Sequence, residues 1–158
     1  MAANGEGSFP VSVDIDKLNN PLDIWIISRL HQLNQQVTEN LDGYNIPDAL
    51  SPILPFIDDA SNWFVRRSRR RFWKSEDDGD KNDAYKTLHY VLLKLAAILA
   101  PITPFLAEEL YQNLGGGGES IHLTDWPTNF EVNQSVLDDM ERTRSLINAG
   151  LGLRMKKD

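Results

Sequence analysis

Apolar residues recur at helical spacing along most of this chain. Between residues 22 and 42 they come at steps of three or four, which is the repeat of one face of an α-helix. The members of this stripe are Leu22, Ile26, Leu30, Leu33, Val37 and Leu41. Asn20 and Pro21 suit the cap and first position of a helix, and Gly43 suits its end. The pattern predicts a first helix over residues 22–42, followed by an antiparallel neighbour.

Two prolines, Pro52 and Pro55, interrupt the second helical stretch. Proline inside a helix costs ~3 kcal/mol, because it lacks an amide proton and clashes with the preceding turn. We therefore predict a short helical turn and then a break near residues 51–55, with Ser51 and Pro52 as the cap and first position of the next helix. A continuous helix should then run from Phe56 to Trp73.

Three more helices are predicted downstream. One covers about residues 83–100 and ends before Pro101, because proline disfavours helical geometry in the residue that precedes it. The next starts at Thr103 and Pro104, as cap and first position, and ends before the glycine run. The last covers about residues 134–151. Its predicted buried face consists of Val136, Met140, Thr143, Ile147 and Leu151.

These elements predict an all-α fold, an antiparallel bundle of about five helices. The segment SIHLTDWP, residues 120–127, predicts a short extended crossing of the bundle anchored by Trp126. A chain of 158 residues is long enough for one core that buries roughly 70% of the unfolded surface. We expect an N-terminal polar extension over residues 1–20, the bundle over 21–154, and a truncated end at 155–158.

Composition narrows the possible functions. Cysteine is absent, which excludes disulfides, thiolate metal sites and cysteine nucleophiles. The three histidines are too scattered to indicate a metal site. The most apolar stretch, residues 91–102, is interrupted and shorter than the ~20 residues that span a membrane, and the first 20 residues do not resemble a signal peptide. We expect a cytoplasmic protein with no metal and no membrane partner.

Two segments resemble ligand-binding loops but lack required residues. They are a charged run, KSEDDGDKND at residues 74–83, and a glycine run, GGGGES at residues 115–120. Asp78, Asp80 and Asn82 match the first, third and fifth positions of a calcium loop. However, the sixth position holds Asp83 instead of glycine, and the twelfth holds His89 instead of glutamate. The glycine run lacks the Lys-Ser/Thr pair of a phosphate-binding loop. We interpret both runs as solvent-exposed loops.

The sequence NWFVRRSRRRFWK, residues 62–74, concentrates positive charge in an acidic chain. The formal net charge of the chain is −7. The six basic residues of this stretch contribute +6, so the rest of the chain carries −13. General nucleic-acid-binding domains usually have a pI above about 9, whereas the pI here is about 4.9. A polyanionic partner must therefore bind at this basic stretch and in one orientation.

On an ideal helix of 100° per residue, Trp63 lies in the middle of an arginine face. Arg69 points elsewhere, where a structural role is expected, and Val65 and Phe72 form a separate apolar edge. Arginine binds phosphate through paired donors, and tryptophan offers a surface for stacking. The candidate RNA-binding residues are Trp63, Arg66, Arg67, Arg70, Arg71 and Lys74.

The residue pattern leaves two other interpretations open. The basic residues could form a surface for a protein partner. They could also form a solvated face paired with Asp58, Asp59 or the loop at residues 76–80, with Trp63 and Trp73 in the core.

Four segments together resemble the helical anticodon-binding domain of isoleucyl-tRNA synthetase. They are DIWIISRL, SNWFVRRSRRRFW, LAAILAPITPFLAEELYQNL and SIHLTDWP, in this order, and they span roughly residues 20–154. The resemblance implies a fragment of a class I aminoacyl-tRNA synthetase that docks the anticodon stem-loop of isoleucine tRNA. It also implies a second partner, the catalytic domain of the same polypeptide.

The same resemblance limits the chemistry of this chain. The parent enzyme attaches isoleucine to tRNA using ATP with magnesium, on a domain marked by HIGH and KMSKS signatures, and neither signature occurs in this sequence. We therefore expect no catalysis, editing or cofactor in this chain alone. The alternatives are a structural or protein-docking module within a synthetase assembly and an independent helical RNA-binding or adaptor protein.

Overall fold

The described part of the structure, a computed structural model, is helical. It comprises Val13 and residues 17–74, 78–128 and 131–155, and no strand occurs among these residues. The α-helices are α1 (Pro21–Asp42), α2 (Ile46–Leu50), α3 (Ile53–Asp58), α4 (Arg66–Lys74), α5 (Asp78–Leu99), α6 (Pro104–Asn113) and α7 (Gln134–Met155). A π-helical segment (Asp59–Val65) joins α3 to α4 without a break, so the described residues form five long helical stretches and one short one. The all-α prediction is confirmed.

Helix α1 is the central element of the bundle. It packs against α2, α3, the π segment, α5 and α7. Asn20 caps it as predicted, because its side chain accepts a hydrogen bond from the amide of Leu22 at 3.0 Å. Its buried apolar residues extend beyond the predicted stripe and include Trp25, Ile26, Ile27, Leu30, Leu33 and Val37. Leu18, within the predicted polar extension, is also buried, and Val13 packs against this core.

The second stretch breaks at Ser51 and Pro52, within the predicted range of 51–55, whereas Pro55 lies inside α3 and does not divide it. Ser51 and Pro52 form a turn, and α3 starts at Ile53, three residues before the expected start. Pro55 falls in the first turn of α3, where a missing amide proton breaks no helical bond. The cap is Pro52 rather than Ser51, since the amide of Phe56 donates to the Pro52 carbonyl at 3.2 Å.

The interpretation of residues 78–83 as a loop was wrong. Helix α5 starts at Asp78, where early acidic residues favour the positive end of the helix dipole. A helical backbone cannot wrap around a calcium ion as a binding loop does. Among the described residues, no group of three or more His, Asp or Glu side chains is placed to hold a metal ion.

The segment between α6 and α7 crosses α1 and is anchored as predicted. It first makes a single 3-10 turn at Ile121–Leu123, which the sequence did not indicate, and then continues extended. Trp126 donates from Nε1 to Thr38 Oγ1 at 2.9 Å, and the Asn34 amide donates to the carbonyl of Pro127 at 3.0 Å. Two bonds to one face of α1 thus fix the crossing.

Helix α7 packs on the bundle only through its first half. Leu137 is buried, and Val136 and Met140 pack against the core. Thr143 and Leu151, predicted on the buried face, are exposed instead. Within the described ranges, no helix combines the length and the apolar character that a membrane crossing requires.

Candidate nucleic-acid interface

Helix α4 presents most of its arginines to solvent. Ser68 and Phe72, four residues apart, are buried and therefore mark the inward face. Arg66, Arg67, Arg69 and Arg70 are exposed, and we call these four residues the basic surface. None of the four forms an ion pair with any residue in the described part of the chain. Their charges are therefore available to a partner.

The π segment explains why an ideal helix misplaces some of these side chains. A π-helix bonds each residue to the fifth along instead of the fourth, so each residue turns through less than 100°. Trp63 lies within this segment, and its direction relative to α4 differs from the ideal value. The structure places it against the core rather than in the middle of an open arginine face.

Trp63 is half-buried and carries arginine on its ring. Its Nε1 donates to Met140 Sδ at 3.2 Å, which fixes the indole against α7. The guanidinium carbon of Arg67 lies 3.7 Å from the ring centroid, and that of Arg144 lies 4.9 Å from it. Both distances are within the range of a cation–π interaction. Trp63 therefore holds arginines in place and offers little free ring to a ligand.

Arg71, predicted as an exposed phosphate contact, is largely buried in an ion-pair network. Its Nη1 and Nη2 donate to the two carboxylate oxygens of Asp23 at 2.8 and 2.6 Å. Its Nε donates to Asp80 Oδ2 at 2.9 Å. Asp23 is fully buried. Arg71 therefore joins α4 to α1 and α5, whereas Arg69, predicted to be structural, is exposed.

The pKa values in this network follow from burial and pairing. Burial raises the pKa of Asp23, although the hydrogen bonds from Arg71 oppose the change. The bond from Arg71 is the main reason that the pKa of Asp80 is lowered. Burial alone would lower the pKa of Arg71, but its bonds to both carboxylates outweigh burial and raise it. Arg71 stays charged, so its charge is used inside the fold.

Trp73 is the exposed aromatic residue that the candidate set left out. Its side chain is 73% exposed, and the guanidinium carbon of Arg69 lies 5.7 Å from its ring. The signal was present in the sequence, because Phe72 occupies the inward position and its neighbour must turn away by about 100°. Lys74 ends α4, and the prediction for its side chain falls outside the described residues.

Asp59, at the start of the π segment, joins two arginines from different helices. Arg29 of α1 donates to its Oδ2 from Nε and Nη2, both at 3.0 Å, and Arg144 of α7 donates to its Oδ1 at 2.5 Å. The solvated-face interpretation foresaw a pairing role for Asp59, but its partners lie outside the basic stretch. Because Asp59 binds Arg29 and Arg144, its negative charge does not neutralise any arginine of the basic surface.

Comparison with known proteins agrees with this geometry. A family model described as the anticodon-binding domain of tRNA ligase matches residues 23–158. An isoleucine–tRNA ligase of Treponema denticola is 46% identical over 142 residues, 87% of this chain and 13% of the relative. The ligase of Dehalococcoides mccartyi is 53% identical over 123 residues, and that of Chlamydia pneumoniae is 39% identical over 156 residues.

The chain spans only a small part of these relatives. The aligned regions cover 75% of this chain and 12% of the Dehalococcoides protein, and 96% of this chain and 15% of the Chlamydia protein. The family model that matches describes the anticodon-binding part of a ligase, not its catalytic part. The chain therefore belongs to the family of anticodon-binding domains of tRNA ligases, and the resemblance to isoleucyl-tRNA synthetase seen in its residues is confirmed.

Proposed function

We propose that this chain docks the anticodon stem-loop of isoleucine tRNA through the basic surface. The observation that carries the proposal is the exposure of four arginines on one nine-residue helix, in a chain whose net charge is −7. An acidic molecule repels RNA except where such a surface faces it. The family and the isoleucine–tRNA ligases among its relatives support isoleucine tRNA as the proposed RNA.

The proposed residues differ in their roles. Arg66, Arg67 and Arg70 would bind phosphates and set the register of the RNA, and we add Arg69 to them. Trp73 would stack on a ribose or an unpaired base, because its ring is exposed beside Arg69. Arg71 and Trp63 position the surface through Asp23 and Arg67 respectively, and Lys74 stays a predicted contact.

The remaining functions are proposed for the parent protein. We propose that the chain is the anticodon-binding part of an isoleucine–tRNA ligase and contacts the catalytic domain of the same polypeptide. ATP and magnesium would be bound by that catalytic domain. The cytoplasmic location expected from the sequence stays a prediction.

A titration at two salt concentrations tests the proposal. Labelled isoleucine tRNA and a non-cognate tRNA are each added to the wild-type chain and to Arg67→Glu/Arg70→Glu. We expect the wild type to prefer isoleucine tRNA and the variant to lose most of its affinity. Each lost phosphate contact should also lower the slope of log affinity against log salt by roughly 0.7 to 0.9.

The control variant is Arg142→Glu, an exposed arginine on α7 away from the basic surface. It should leave both affinity and salt slope unchanged. Equal affinity of the wild type and the double variant for isoleucine tRNA would contradict the proposal and favour a structural or protein-docking module instead.

A further inference from the structure

A cavity of about 150 Å³ lies between α5, the glycine run and the segment that crosses α1, residues 121–127. An engineered protein cavity of about this volume holds one benzene molecule, so there is room here for a small aliphatic group. Gly117 and Asp125, which line the cavity, are exposed, and the cavity therefore opens to solvent on their side. None of the four arginines of the basic surface lines it.

The glycine run is fixed around Tyr111 and forms one wall of the cavity. A Cβ atom at Gly116 would overlap the ring of Tyr111, so only glycine fits there. The amide of Gly118 donates to the hydroxyl of Tyr111 at 2.9 Å. The end of the run is held by Glu108, whose carboxylate accepts from Ser120 Oγ at 2.8 Å. This wall is therefore in place before a ligand arrives, which lowers the cost of binding.

Lys94 is a half-buried lysine in the opposite wall of the cavity. It is the one charged residue of the apolar stretch at residues 91–102. Its Nζ lies 6.0 Å from the ring centroid of Tyr90, and no carboxylate of the described ranges forms an ion pair with it. Burial lowers the pKa of Lys94, because nothing nearby offsets the lost hydration of its ammonium group. A negatively charged group in the cavity would therefore stabilise Lys94.

Asp125 brings the opposite charge to the same cavity. It lies at the open side, and it forms no ion pair with Lys94. The two charges cancel in sum, so a simple anion or a simple cation would be attracted by one residue and repelled by the other. A ligand that carries both charges can pair with both residues at once.

The lining between these two charges is apolar. Leu93 and Ile121 are buried side chains of this wall, and Ala97 and Pro127 continue it. An aliphatic group placed against them would leave water, which favours binding. An aliphatic α-amino acid has this combination of groups, because its ammonium, its carboxylate and its apolar side chain are all attached to one carbon.

We propose that this cavity binds a small aliphatic α-amino acid in its zwitterionic form. Lys94 would bind the carboxylate, and Asp125 would bind the ammonium group. The side chain of the ligand would lie against Leu93 and Ile121. The inference does not rest on the proposed function, since the two use different residues.

Three probes that share one carbon skeleton test the role of the charges. L-Valine carries both charges, isobutylamine lacks the carboxylate, and isovalerate lacks the ammonium group. Each is titrated at millimolar concentration and constant ionic strength, while the backbone amide signal of Gly117 in the cavity wall is followed by NMR. We expect a saturable shift with valine. The other two probes should bind roughly ten-fold more weakly, because each lacks one charge-assisted hydrogen bond.

Two variants of similar shape test which residue binds which group. Lys94→Met should weaken binding of valine roughly ten-fold and bind isobutylamine no more weakly than the wild type does. Asp125→Asn should weaken binding of valine to a similar extent and bind isovalerate no more weakly. The control is Lys86→Met, which removes an exposed lysine of α5 outside the cavity and should leave all three affinities unchanged.

Absence of a saturable shift with valine would overturn the inference, and so would equal affinities of the wild type for the three probes. Equal weakening of all three probes by Lys94→Met would also overturn it, because that result indicates a changed cavity shape rather than a lost charge pair. None of these measurements involves RNA. Failure of this inference would therefore leave the proposed function standing.

Discussion

The guanidinium group of Arg71 binds both carboxylate oxygens of Asp23, at 2.8 and 2.6 Å, and so joins α4 to the buried face of α1. A bidentate pair of this kind fixes direction as well as distance. The rotation of α4 about its axis is therefore fixed, and the neighbouring arginines face outward as a consequence. One buried charge positions the exposed ones.

Loss of Arg71 should destabilise the fold, because it leaves the carboxylate of Asp23 buried without a cation. We expect Arg71→Met to lower the free energy of unfolding by roughly 3 kcal/mol. Arg70→Met, an exposed neighbour, should change it by less than about 0.5 kcal/mol. Urea unfolding measures both values. Similar losses in the two variants would show that the Arg71 network contributes nothing specific.

Trp73 should matter for RNA binding and not for stability, because its ring is exposed beside Arg69. We expect Trp73→Ala to weaken binding of isoleucine tRNA roughly ten-fold through lost stacking. Its free energy of unfolding should stay within about 0.5 kcal/mol of the wild-type value. The control is Phe105→Ala, which removes an aromatic ring that is 91% exposed on α6. An equal loss of affinity in both variants would argue against stacking by Trp73.

His31 should make stability depend on pH, because it is buried between α5 and the segment before α7. Its Nδ1 bonds to the carbonyl of Glu131 at 2.7 Å, and its Nε2 lies 3.3 Å from the hydroxyl of Tyr90. The carbonyl of Glu131 can only accept, so Nδ1 carries the hydrogen and Nε2 of the neutral ring accepts a hydrogen bond from the hydroxyl of Tyr90, whose pKa burial raises to about 12. Burial also lowers the pKa of His31 below its ordinary value of 6.5. The carbonyl of Glu131 opposes this shift, and the charge of Lys94 adds to it.

The sign of the pH effect follows from the lowered pKa. The unfolded chain takes up the proton near pH 6.5, whereas the folded chain takes it up only at lower pH. The contribution of neutral His31 is therefore complete above pH 6.5 and is lost as the pH falls towards the folded pKa. Urea unfolding at a series of pH values should show a steeper acid loss for the wild type than for His31→Gln. Parallel curves would contradict this assignment.

The parts of the fold that local sequence dictates were predictable, and α1 is the clearest example. Its cap at Asn20 and its apolar repeat depend on residues within one or two turns of each other. Trp126 was also predictable as an anchor, because the large apolar surface of an indole in a polar segment is expected to pack against the rest of the fold. Its partner, Thr38, lies 88 residues away and could not be named.

Local sequence reasoning reversed the exposure of Arg69 and Arg71, since the structure exposes Arg69 and largely buries Arg71. The acceptor of Arg71 lies 48 residues earlier in the chain, and the π segment changes the angular step that the prediction assumed. One signal was nevertheless present. Asp23 shares a helix face with Ile26, Ile27 and Leu30, and a carboxylate on a buried stripe requires a buried cation.

The π segment also makes the length of this helical stretch important. It allows one continuous helical stretch to place Asp59 against Arg29 and Arg144 and to turn the four arginines of the basic surface toward solvent. Deleting a single residue between Asp59 and Val65 would remove the extra residue of a π turn and restore an ordinary α-helix, with little rotation of α4 relative to Asp59, because one π turn covers about the same angle as one α turn with one residue fewer. A one-codon deletion within the π segment should therefore be tolerated better than a one-codon deletion within α4, which would turn the arginines beyond it by about 100°.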